Sequence, residues 1–182
     1  MLKPVLVPEP LWGVSLDHLL YPVIQGQREV AEKHSAALGK LRVANSERLG
    51  SHALCAICGR NFADQVDEIW EFEDGVATLK GLQPVCRLCR EARNFRFYGR
   101  GNMYEAIDWM KYLDGIGDEE LAQMLGEAYL RWKRLSSITD WTIRVATGAT
   151  AIDPSDEKDL EKALNELYYL DKNGKKSPSP RR

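Results

Sequence analysis

Two Cys-x-x-Cys pairs constrain this chain more than any other feature. They are Cys55-Ala56-Ile57-Cys58 and Cys86-Arg87-Leu88-Cys89, separated by 27 residues and together holding all 4 cysteines. Each pair presents two thiolates from one tight turn, and the segment between them is long enough for a short hairpin and the start of a helix, which is the pattern of a tetrahedral Cys₄ zinc site. Four thiolates complete the coordination sphere and leave no position for water or substrate, so the expected Zn2+ is structural rather than catalytic. A disulfide is the competing use of paired cysteines. The expectation is that no cleavable signal precedes the chain and that a reduced cytoplasmic setting keeps the thiols free for metal.

The remaining composition places few limits on function. A chain of 182 residues with 44% apolar and 29% charged residues can bury a core, and no apolar run approaches the ~18 residues of a membrane span. The net charge of −2 does not exclude nucleic acid, because phosphate binding depends on how positive charge is clustered. Such clustering exists after the second cysteine pair. Arg87, Arg90, Arg93, Arg96 and Arg100 recur along an expected helix with Glu91 as the single acid among them, which would make a broad cationic ridge.

In chain order, the proline-rich start (residues 1–13) reads as an extended strap anchored by Leu6 and Trp12. A helical turn near Leu16, Leu19 and Leu20 stops at Pro22. One longer helix is expected over Gln27 to Arg48, ended by Gly50, with His34 packed in or beside its apolar stripe. Val66 to Glu73 alternates like a strand. Asp74-Gly75 then signals a type I′ turn, and Val76 to Leu82 returns antiparallel. Helices follow over Met103 to Leu113 and Asp118 to Ser136, the second carrying a core stripe through Leu121, Met124, Ala128 and Trp132. Trp141 to Val145 reads as a strand. Asp153-Pro154 starts the last helix, faced by Leu160, Leu164, Leu167 and Leu170, and the basic Pro/Ser tail Lys175 to Arg182 has nothing to bury.

The order knuckle, hairpin, knuckle, helix resembles a bacterial and phage branch of the HNH endonucleases. The residues that carry the resemblance are Asp67-Glu68-Ile69-Trp70-Glu71-Phe72, Leu79-Lys80-Gly81-Leu82-Gln83 and Val85 to Asn94, with Ala128-Tyr129-Leu130-Arg131-Trp132 and Asp140-Trp141-Thr142 downstream. They span about half the chain, from Ala53 to Val145. The resemblance implies an α+β fold in which a Cys₄ zinc-stapled ββα module, HNH- or treble-clef-like, is embedded in a mainly helical domain. It also implies a nucleic-acid-facing helix. Where the family places a histidine general base on the strand and histidines on the helix, this chain has Asp67, Arg90 and Asn94. No histidine follows His52, and His52 itself reads as a solvent-facing loop residue.

The expected organisation is a strap and helices over 1–50, the zinc module with following helices over 51–146, a C-terminal helix over 147–171 and the tail over 172–182. The expected function is a catalytically degenerate HNH-like module that binds nucleic acid, DNA before RNA, or a nucleoprotein complex, without cutting. Three alternatives stay open on the sequence. One is a metal-dependent endonuclease using Asp67 and Asn94 as substitute ligands. Another is a phage or mobile-element factor that grips a protein partner. The last is a rubredoxin-like iron protein. The arginines themselves have two uses, phosphate contact or pairing with Asp67, Glu68, Glu71, Glu73, Glu105 or Asp108.

Overall fold

The computed structural model describes residues 4, 6–94 and 100–173. The chain is α+β, with seven α-helices among the described residues and a three-stranded sheet. A 3-10 turn at Glu9–Leu11 leads into α1 (Leu16–Leu20), α2 (Gln25–Lys33) and α3 (Ser35–Leu49). The hairpin β1 (Gln65–Glu73) and β2 (Val76–Val85) precedes α4 (Arg87–Arg93). Then come α5 (Arg100–Asp114), α6 (Asp118–Ser136), β3 (Thr142–Val145) and α7 (Pro154–Lys172). None of the described helices is long and apolar enough to cross a membrane.

The hairpin turns where the Asp-Gly pair predicts. Asp74 and Gly75 adopt φ of 39° and 83°, the positive values that a type I′ turn needs at both central residues. Residues β1 and β2 pair antiparallel with a register shift between Ile69 and Trp70, a bulge that leaves Lys80 as the extra residue on β2. β3 then joins β2 in parallel, pairing Val76 with Thr142 through Leu79 with Val145. Its free edge is not left open, because α7 supplies side chains that complete the ladder. Ile143 N–H donates to Asn165 Oδ1 (3.2 Å), Asn165 Nδ2 donates back to Ile143 O (2.9 Å), and Val145 N–H donates to Glu161 Oε2 (2.7 Å).

One large apolar cluster joins α1, α3, the sheet and α7, through Leu16, Leu19, Leu38, Leu41, Leu79 and Ile143. Helix α7 enters it with Leu160, Leu164, Leu167 and Tyr168, the three-and-four spacing of one face. Ala92, Ala106, Met110 and Leu121 form a second cluster under α5 and α6, and the four cysteines with Val85 and their apolar neighbours form a third.

Several expectations shift. The strap is held by Leu11, which is 1% exposed, while Trp12 sits at the surface and its indole N–H donates to Val7 O (3.0 Å). The single helix expected over Gln27–Arg48 is two, broken at His34, whose φ of −106° and ψ of 22° lie off the helical values. The break sets the buried imidazole between two α7 carboxylates, 3.0 Å from Asp159 Oδ1 and 3.4 Å from Glu166 Oε1. Strand β2 is three residues longer than expected, and Gly117 rather than Asp118 caps α6, its N–H donating to Glu120 Oε2 (3.3 Å). The helix expected to run from Cys86 to Arg100 ends at Asn94, and Arg96 and the basic tail lie outside the described residues.

Candidate metal centre and adjacent cleft

The two knuckles are brought together by the hairpin. Strand β1 starts just after the first knuckle and β2 ends at the second, so antiparallel pairing of Gln65 with Val85 closes the loop between them. Ala56 N–H donates to Pro84 O (2.9 Å), tying the first knuckle to the end of β2, and Gly59 N–H donates to Cys55 O (2.8 Å) within the first turn. Cys86 is the N-cap of α4 and Cys89 lies in its first turn. As a result, Cys55, Cys58, Cys86 and Cys89 place their sulfurs within 4.8 Å of one another, with Cys55, Cys86 and Cys89 buried.

The chemistry around these sulfurs fits a bound cation. Burial raises the Cys86 and Cys89 thiols; the charge of Cys55 adds to the rise at both, and Cys86 adds to it at Cys89, while hydrogen bonding from Cys89 works against it at Cys86. At Cys58 burial acts in the same direction, but the backbone N–H groups of Asn61 and Arg60 hold the thiol down to about 7. Asn61 Nδ2 donates to Cys86 Sγ (3.6 Å) and Trp109 Nε1 to Cys89 Sγ (3.2 Å). Such donors orient thiolate ligands and would be poorly used by a neutral thiol. Four soft sulfur donors in one closed cage would hold a thiophilic metal, and through Trp109 that metal would couple α5 to the hairpin.

Beside this centre lie the residues that the resemblance singled out. Asp67 is buried, accepting from Arg93 at 2.7 Å on one oxygen and from Asn94 at 3.4 Å on the other, with Arg90 Nε 4.0 Å away. Its carboxyl is raised above the ordinary value because burial outweighs the attraction of Arg93 and Arg90. The charge of Arg90 alone would lower it, and burial reverses that direction.

The arginines do not share one outward ridge. Arg93 is only 9% exposed and turns inward to Asp67. Arg90 donates to Gln65 Oε1 (2.6 Å) and pairs with Asp17 of α1. Arg87 is 47% exposed and forks between Glu91 (3.0 Å) and Glu105 (3.1 Å), whose hydrogen bonds and charge raise it further. Arg100 begins α5, with its side chain outside the description. His52 is exposed, its ring 6.2 Å from that of Phe62.

Asp17, His18 and Glu68 complete a cleft of about 240 Å³ with Asp67, Arg90 and Asn94. Sequence reasoning passed over the first two. Their only signal is that Leu16, Leu19 and Leu20 bury one side of α1, leaving Asp17 and His18 to the other. Glu68 caps α1 from β1, because Leu16 N–H and Asp17 N–H donate to its Oε1 (2.8 and 3.4 Å) and Trp70 Nε1 donates to its Oε2 (2.6 Å). Burial, reinforced by the charge of Asp17, lifts the Glu68 carboxyl from 4.5 to about 7 against those hydrogen bonds. A raised carboxyl contributes stability that is complete below about 4.5 and is lost as pH climbs to about 7, an upper bound of about 3 kcal/mol. Glu68→Gln is therefore expected to flatten the fall in urea midpoint across that window. An equally steep fall in the variant would assign it to other groups.

Among the described residues, the cysteine group is the one place where three or more His, Cys, Asp or Glu ligand atoms converge, so Asp17, His18, Asp67 and Glu68 do not form a second cage. No protein-family model, no curated protein and no solved structure matches the chain.

Proposed function

We propose that this protein is a zinc-stapled, HNH-like ββα module without hydrolytic activity that acts by contact within a nucleic-acid-handling complex. Cys55, Cys58, Cys86 and Cys89 would hold the zinc, which supplies rigidity and, with four thiolates around it, no open position for chemistry. The observation that carries the non-hydrolytic reading is the Asp67–Arg93 pair. At the position where a general base would receive a proton from water, the carboxylate is buried and already accepts a guanidinium. A carboxylate whose two oxygens accept from Arg93 and Asn94 is committed to them rather than to an attacking water or a hard cation. Contact with protein is favoured over contact with phosphate, because the described arginines of the ridge are committed to Glu91, Glu105, Asp17 and Asp67.

A weaker direct phosphate contact is supported by Arg87 alone, which is half-exposed and can exchange Glu105 for a phosphate at small cost, as solvent screens surface pairs of this kind. The test is one preparation of metal-loaded protein. Elemental analysis is expected to give zinc, and no plasmid cleavage is expected with magnesium, manganese or nickel. Duplex binding should fall with salt at a slope shallower than about −2, against the −0.9 expected for each phosphate neutralised. Cleavage that stops in folded Asp67→Asn would overturn the non-hydrolytic reading. A slope near −4 would restore the arginine ridge as a phosphate-binding face, and iron with a visible colour would replace zinc by an electron carrier.

A further inference from the structure

Helix α6 meets the body at its ends. Leu121 enters the second apolar cluster, Leu135 enters the main one, and Trp132 donates its indole N–H to Val7 O of the strap (3.1 Å). Between those ends a groove of about 500 Å³ opens, with Met124 and Ala128 of α6 on one side and Leu6, Trp70 and Phe72 on the other. The two aromatic rings lie with centroids 6.2 Å apart and planes 11° from parallel, and with Phe72 largely buried they give the groove an apolar floor. A volume of that size suits a compact ligand or bulky anchor side chains, and a methionine wall adapts to their shape.

The charge on the rim selects among occupants. Glu120 and Glu127 are exposed along the groove and form no ion pair among the described residues. The one cation of the lining among the described residues, Arg131, donates to Phe72 O (3.3 Å) at the edge of β1. An apolar floor under two unneutralised carboxylates complements an apolar side chain flanked by cations. The carboxylates are seven residues apart on one helix, so about 10 Å along its axis, within reach of long side chains four residues apart on one face of an extended peptide, about 13 Å.

We propose that this groove docks an extended segment of a partner protein, with a bulky apolar side chain seated on Trp70 and Met124 and Lys or Arg residues four apart, on the same face as that side chain, meeting Glu120 and Glu127. The proposal names the contact surface of the module described above and rests on that reading. Its test does not involve nucleic acid, so the two can fail separately. DNA cleavage or a steep salt slope would refute the contact reading, whereas the peptide experiment judges the groove.

Metal-loaded full-length protein is panned against a library of short random peptides. Enriched peptides are expected to share an aromatic or large aliphatic residue between basic ones. The best of them, made synthetically, should bind Ala128→Trp at least tenfold more weakly, because the indole would fill the groove, and Glu120→Lys/Glu127→Lys at least fivefold more weakly. Both variants should melt near the wild type, and should Ala128→Trp fail to fold, the charge-reversed variant decides. No enrichment, a neutral or acidic consensus, or undiminished binding to the folded variants overturns the proposal. So does a dimer abolished by Ala128→Trp, which would assign the groove to a second copy. Tighter peptide binding after removal of residues 174–182 would assign it to the chain's own tail and equally overturn it.

Discussion

Cys86→Ser is expected to abolish stoichiometric metal binding and to loosen both knuckles together. Cys86 is at once a member of the sulfur cage, the N-cap of α4 and the acceptor for Asn61. The local apolar support is small, since the cluster around the cage is built from the cysteines themselves and Val85, with Ile57, Leu88 and Trp109 packed against it. Structural zinc sites have apparent binding energies on the order of 10 kcal/mol, more than the whole stability of many domains. The loss should nevertheless be graded in space. The main core around Leu79, Ile143 and Leu164 does not touch the cage, so hydrogen exchange should rise across residues 54–62 and 84–93 and in α5 near Trp109, while α7 and β3 stay protected. Metal per chain measured by emission spectroscopy, together with site-resolved exchange, checks this. Unchanged metal content and exchange in the variant would remove the Cys₄ assignment.

Asp67→Ala is expected to cost on the order of 3–5 kcal/mol, because it leaves the Arg93 guanidinium buried without its carboxylate. The raised carboxyl of Asp67 shows that desolvation outweighs the attraction of its arginines. Replacing both partners by apolar residues of similar size, Asp67→Leu with Arg93→Met, should therefore recover most of the loss. Urea unfolding of the single and double variants provides the measurement. A single-variant loss below about 1 kcal/mol would mean that the pair behaves like a solvated surface pair. That outcome would also reopen Asp67 as a group available to water. An exposed phosphate-binding arginine could be removed with little effect on stability, and by its burial Arg93 is not of that kind.

The features legible in the sequence are those whose cause acts over a few residues. Chelate spacing drew the cysteines together, the Asp74-Gly75 pair set the turn, Asp153-Pro154 opened α7, and the three-and-four rhythm of Leu160, Leu164 and Leu167 named its buried face. The metal cage is legible for the same reason, since each pair carries half of its own geometry and the hairpin needs only to close.

The features that only the tertiary structure decided depend on what lies opposite. An apolar rhythm continues through His34, yet the helix breaks there, and the break sets its ring beside two α7 carboxylates. β3 is visible as a strand, but its parallel place beside β2 is set by packing after three intervening helices. Evenly spaced arginines look alike in sequence. In the fold they become a buried partner of Asp67, a link to α1 and a surface fork to α5, according to which acid each helix position meets. Sequence alone thus determined the four-cysteine cluster that could hold a metal and most element boundaries, because local spacing shapes both. The cleft with Asp17 and His18, the fate of each arginine and the open groove under α6 were decided by long-range packing, which places charges and apolar faces that no short stretch of chain specifies.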